Sequence, residues 1–142
     1  MTSILILTVL LTQAVPTSLD QIRADANLEH RAKIAVEFAA AVEKSAETEY
    51  SNGDMAAVAT SLKNMATAIE IAKQALEQTG KTANRNPGPY KSAELKTQAI
   101  LARLNDLEKR MDSDERAVLE GPRNRVQEIH DAWFDGIMSK KK

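Results

Sequence analysis

Between Asp54 and Leu76 apolar residues return at a fixed interval: Met55, Leu62, Ile69 and Leu76 stand seven apart, with Val58, Met65 and Ala72 midway between them. An apolar repeat of seven with a second set offset by half is the seam of a packed helix. The ionic residues of the stretch are confined, with Lys63, Glu70 and Glu77 on a stripe of their own and Lys73 nearby. The remaining surface is Ala, Ser, Thr and Asn, small enough for other helices to approach closely. The pattern predicts a helix over 55–78 that is the central, most covered one of a small bundle.

Upstream, Ser18-Leu19-Asp20-Gln21 has the form of a capping box, in which the Ser18 hydroxyl accepts from the backbone and Gln21 reaches back, so a helix begins there. No Gly or Pro follows before Gly53, and Leu28, Ala32, Ala35, Ala39, Val42, Ala46 and Tyr50 mark one face, widened by Val36 and Phe38. Glu29, Lys33, Glu37, Glu43, Lys44 and Glu47 mark the opposite, polar side. The spacing predicts one continuous helix over 19–50, about 48 Å long against about 36 Å for its successor. Its start around Leu19, Ile22 and Ala26 then overhangs the partner and needs cover from elsewhere. Ser51-Asn52-Gly53-Asp54 is the strongest turn signal in the chain, with Gly53 supplying a positive φ and Asp54 capping the next helix. So short a connection makes the first two helices an antiparallel hairpin.

Gln78-Thr79-Gly80 ends the second helix, and the Asn, Gly and Pro residues up to Pro89 read as loop. A third helix, starting at Pro89 or shortly after and spanning about 90–111, carries the stripe Ile100, Leu104, Leu107 and Met111. Asp112 and Glu115 stand at capping-box spacing before a fourth over about 114–137, whose face is Leu119, Val126, Ile129, Trp133 and Ile137. Gly121-Pro122 interrupts it, so a kink or a one-turn opening segment is expected there, with the main helix running from Pro122 to about Gly136. β-Branched residues never alternate over a strand-length run beyond the first fifteen positions. The expected fold is all-α, either an antiparallel four-helix bundle or two stacked helical hairpins, in one domain over 15–138.

The first hairpin bears a resemblance. Tyr50-Ser51-Asn52-Gly53-Asp54, then Val58, Leu62, Met65 and Ala66, and later Ala72 and Leu76, resemble the turn and second helix of a tetratricopeptide repeat. That family stacks helix pairs and binds peptides and proteins in a concave groove. The resemblance covers about one third of the chain, and the next turn, near Asp112, follows by far more than the family's period of about 34 residues. Val58 replaces the usual alanine, and the first helix lacks the early Trp and Leu-Gly signature. What the resemblance implies is a protein-binding helical scaffold, with no binding residues assigned.

At the start of the chain Ile4 to Leu11 form an apolar run followed by Thr12-Gln13-Ala14. The run is shorter than the roughly 20 residues of a membrane-spanning helix and fits the apolar core of a secretory signal cleaved after Ala14. No Lys or Arg precedes it, so the amino terminus alone supplies positive charge; the alternatives are an uncleaved segment anchoring the chain to a membrane or a buried N-terminal segment. Residues 1–14 are thus read as a leader, 139–142 as a basic tail, and the protein as exported, periplasmic or extracellular, without stable membrane insertion after cleavage.

Composition narrows the chemistry. Nineteen basic residues against 20 acidic leave a net charge of -1, and aromatics make up only 4 %. No broad field exists for nucleic acid. Cysteine is absent, which removes disulfides, thiolate metal sites and Cys nucleophiles. His30 and His130 have no acidic or histidine partner one helical turn away in the Glu-x-x-His or His-x-x-x-His sense, so neither metal nor cofactor is expected. The glycines are scattered singly and no phosphate loop occurs. An enzyme using His130 with Asp131 is the least supported reading.

Two features suit a partner. Trp133-Phe134 could anchor one; Trp133 is in phase with Val126 and Ile129 and belongs to the core, whereas Phe134 is off that phase and is the best exposed apolar residue. The segment from Lys81 to Lys96 carries Lys81, Arg85, Lys91 and Lys96 against the single acid Glu94, and with Pro87 and Pro89 holding it extended it could present a basic edge. Phe134, Lys81, Arg85 and Lys91 are therefore the candidate partner-binding residues of a non-catalytic scaffold or interaction module with a protein partner, self-association included. The rival is an envelope sensor of a small ligand or metal stress with a pocket between helices. Amino-terminal sequencing of the exported protein is expected to begin at Val15; a cytosolic chain still starting at Met1 would refute export.

Overall fold

In the computed structural model residues 18–139 are described; the leader over 1–14 and residues 140–142 of the basic tail lie outside them. The order is α1 (Leu19–Arg23), α2 (Leu28–Ser51), α3 (Met55–Gln78), α4 (Pro87–Arg110) and α5 (Ser113–Met138), with no strand among the described residues. The fold is an all-α helical bundle.

The seven-spaced ridge is enclosed. Val58, Leu62, Met65, Ile69 and Ala72 are fully buried and Leu76 is 1 % exposed, while Met55 at the helix start is half-buried. α3 touches each of the other four helices. Its most extensive interface is with α2, where Ala32, Ala35, Ala39 and Ala46 are buried; side chains that stop at Cβ let the two helices lie close. Gly53 turns the hairpin at φ 75°, and the Asp54 carboxylate accepts from the Ala57 N–H at 3.1 Å.

The continuous helix expected over 19–50 is broken at 24–27. Asp25 Oδ1 accepts from the Asn27 N–H at 2.9 Å, and the Asn27 side chain accepts from the His30 N–H at 3.0 Å, capping α2. Asp and Asn side chains compete for backbone donors in this way and open helices without Gly or Pro. Asp25 also takes the His30 ring Nδ1, and the Arg31 Nε donates to the Asp25 carbonyl at 2.8 Å. The break gives the overhanging start its cover: α1 lies against α2 and α3 and buries Ile22 completely.

The second hairpin is α4 with α5. α4 starts at Pro87 rather than near 90, with Pro87 in its first turn, where the backbone N–H has no helical partner to lose. α5 opens on the capping box of Asp112 and Glu115, 2.9 Å in both directions. It then runs unbroken through Pro122, so the one-turn opening segment does not form. Leu119 and Val126 on either side of the proline are both fully buried, and their packing outweighs the loss of one helical hydrogen bond, about 3 kcal/mol.

The hairpins stack. α2 lies along α4, and α3 along α5, with slight contact across the α3/α4 diagonal. Both seams are parallel: Glu37 meets Lys96, Glu47 meets Arg103 and Ser51 meets Arg110 in the same order along α2 and α4. On the other side Arg125 grips Glu70 with two N–H···O bonds of 2.6 Å. Within the second hairpin Arg123 pairs with Glu108 and His130 with Glu94. No described helix is long and apolar enough to cross a membrane. Ile69→Ala is expected to cost about 2–5 kcal/mol in denaturant unfolding, because the enclosed site cannot collapse around the cavity; a loss under about 0.5 kcal/mol would show that the ridge is not enclosed.

Candidate functional site

Alanines on α2 and α4 leave an open groove of about 450 Å³ along the seam between the hairpins, walled by Ala40, Ala41, Ala99 and Ile100. A second hollow of about 360 Å³ adjoins it towards the helix starts, with Lys96 common to both. Glu43 lines the larger groove and is 0 % exposed. Neither of its carboxyl oxygens has a hydrogen-bond partner. The Arg103 Nε lies 3.0 Å from Glu43 Oε2, but its aligned N–H bonds go to Glu47, at 3.2 and 2.9 Å. One guanidinium is thus shared by two carboxylates and satisfies one of them. Burial, with the Glu47 charge adding to it, pushes the Glu43 carboxyl up to about 7 against the pull of Arg103.

This site departs from the expectation that Glu43 belongs to the solvated side of its helix. The sign was in the spacing: Glu43 stands four residues after Ala39 and three before Ala46, on the alanine stripe itself. What buries it is α4, whose Ile100 and Arg103 pack over α2 at that level.

The proposed partner-binding residues gather at the opposite kind of place, one end of the bundle. Residues 81–96 are not held extended as a whole: the part from Pro87 is helical, in keeping with the helix expected over about 90–111. The linker is 79–86, and Lys91, Glu94 and Lys96 ride on α4, since prolines in a first helical turn favour the helix that follows. The Tyr90 hydroxyl donates to the Lys81 carbonyl at 2.7 Å, and a Cβ on Gly136 of α5 would come within 3.1 Å of the Ala83 Cβ. These contacts bring the linker, the start of α4 and the end of α5 together. Lys81 is tied to Glu29 at 3.0 Å and Lys96 to Glu37 at 3.5 Å. Arg85 and Lys91 are exposed and make no ion pair among the described residues. Trp133 is in the core, 4 % exposed, while Phe134 is 47 % exposed and Met138 66 %.

Phe134 stacks on the His130 ring, with centroids 6.4 Å apart and planes at 15°. The His130 Nε2 is 3.0 Å from Glu94 Oε1 and its Nδ1 3.0 Å from Asp131 Oδ1. Glu94, the lone acid of the supposed basic edge, is buried at 6 % exposure. The hydrogen bond from His130, helped by Gln127, holds the Asp131 carboxyl below its usual range. A general base needs one ring nitrogen turned to its substrate, and here a carboxylate occupies each. His30 pairs with Asp25, and no cluster among the described residues could hold a metal ion.

Comparison with known protein families, curated proteins and solved structures finds no match. The structure defines the class, an all-α helical bundle.

Glu43 makes stability depend on pH. Because its carboxyl is raised from 4.5 to about 7 in the folded chain, the stability it contributes is complete below the unfolded value and is lost as pH rises through the folded one. Between about pH 5 and about pH 8 the native chain should lose on the order of 1–3 kcal/mol that Glu43→Gln, which keeps the neutral shape, does not. Urea unfolding of both chains at the two pH values measures this, with the histidines common to both cancelling. Equal pH slopes would show that Glu43 titrates normally.

Proposed function

We propose that this protein is a non-catalytic, exported helical interaction module that presents one end of its bundle, formed by the 79–86 linker, the first turns of α4 and the last turns of α5, to an acidic protein partner. The observation that supports this reading is the placement of exposed Phe134, Arg85 and Lys91 at the same end of the bundle, the two cations without an ion pair among the described residues. A rigid aromatic contributes contact area that can be desolvated at little entropic cost. Cations beside it steer an acidic surface into register. A net charge of -1 over the whole chain leaves the attraction local to this end, which favours a defined partner over a polyanion. Export is supported by the apolar run Ile4 to Leu11 and the small residues Thr12 and Ala14.

Phe134→Ala and Arg85→Glu are each expected to weaken capture of the partner from envelope extract about tenfold or more. Both are surface changes, so stability should move by no more than about 0.5 kcal/mol. Quantitative pull-down with thermal melting of the same variants checks both statements. A native chain that captures nothing, or variants that capture as well as it does, would overturn the proposal.

A further inference from the structure

We propose that the groove between α2 and α4 binds the anion of a free, medium-chain aliphatic carboxylic acid, its hydrocarbon chain laid along Ala40, Ala41, Ala99 and Ile100 and its carboxylate on Lys44 at the lip. The inference rests on the groove alone and stands whether or not the bundle end engages a protein.

The charges around the groove decide the sign of the ligand. Lys44, Lys96 and Arg103 line it. Lys96 is paired with Glu37 at 3.5 Å, and Arg103 is taken up by Glu47 at 2.9 Å. Glu43 is sealed beneath the groove, and burial, reinforced by the Glu47 charge, pushes its carboxyl up to about 7. Below that pH three cations therefore face only the two ionised acids Glu37 and Glu47. The surplus charge is that of Lys44, which is exposed and makes no ion pair among the described residues. Lys33, lining the adjoining hollow on the same helix, is also exposed and without an ion pair among them. Such a lip attracts an anion and repels an organic cation.

The walls set the remainder of the ligand. Side chains that stop at Cβ leave methyl groups along both helices, with the butyl group of Ile100 between them at 2 % exposure. A surface of this kind suits an unbranched hydrocarbon. From Glu37 to Lys44 the groove runs about 10 Å along α2, the extended length of a chain of about eight carbons. Its volume of about 450 Å³ lies within the usual range of small-molecule sites, roughly 300–1,000 Å³. Each methylene withdrawn from water strengthens binding, so affinity should rise with chain length, which charge attraction alone does not produce.

The test titrates sodium n-octanoate into the ¹⁵N-labelled full chain at about pH 6, where the ligand is ionised and Glu43 is not. Sodium butyrate and n-octylammonium chloride at matched ionic strength are the comparators. Octanoate should give saturable amide shifts along α2 and α4, about tenfold or more tighter than butyrate and tighter than the octyl cation. Lys44→Glu, which reverses the surplus charge, should weaken octanoate binding about threefold or more. Ala99→Glu, an acid placed in the groove from an exposed helical position, should weaken it about tenfold or more. Either variant binding octanoate as tightly as the native chain, or butyrate or octylammonium matching octanoate, would overturn the proposal. So would co-sedimentation of the chain with phosphatidylglycerol vesicles in place of saturable octanoate binding, which would assign the groove to a membrane.

Discussion

Enclosure of the α3 ridge is the constraint from which the rest of this structure follows. Leu62, Met65 and Ile69 lose all contact with water only because α2 covers one side of α3 and α5 the other, and each of those helices must then bring its own polar side to terms with α4. Apolar burial of this kind is non-directional and scales with area. It explains why four helices gather, and leaves to the smaller groups how they are arranged. The alanine stripe of α2 makes its seam with α3 narrow. The break at Asp25-Ala26-Asn27 then lets α1 turn and seal the open end with Ile22.

Between the hairpins the glue changes character. The α2/α4 and α3/α5 seams are laced by half-exposed ion pairs, Arg103 to Glu47 and Arg125 to Glu70, and pairs that water still reaches contribute modestly to stability while specifying register. The Arg125–Glu70 clasp uses both arms of the guanidinium and holds the Glu70 carboxyl below its usual range. Arg103 is instead divided between two acids. The contrast is informative: one seam is closed by a pair bonded through both arms, while on the other Arg103 lies 3.0 Å from Glu43 but aims its N–H groups at Glu47. The groove and the unsatisfied Glu43 lie on the same seam because small side chains and shared charge occur there together.

Both functional proposals draw on this division of labour. The rigid bundle fixes where Phe134, Arg85 and Lys91 stand, through contacts such as Tyr90 with the Lys81 carbonyl and Ala83 with Gly136. His130 illustrates the same rigidity, since carboxylates from two helices engage both of its ring nitrogens. A side chain so held serves as a clamp between α4 and α5 and as the platform on which Phe134 stacks. The chemistry of the molecule, on this reading, is recognition by preplaced groups.

Local rules written in the residues decided the helical class, the α3 seam, the Gly53 turn, the Asp54 and Asp112 caps, the burial of Trp133 and the exposure of Phe134, because each depends on neighbours within a few positions along one helix. The break after Ala24 was also local, carried by Asp25 and Asn27, but a reading that watches for Gly and Pro passes over side chains that open a helix by taking its donors. Other features needed the assembled bundle. Pro122 stays inside α5 because distant helices bury Leu119 and Val126. Glu43 is buried by residues nearly sixty positions away, and Glu94 meets a histidine on another helix. Spacing can place a carboxylate on a face; whether another helix will cover that face, and whether it brings enough donors when it does, is settled by packing alone.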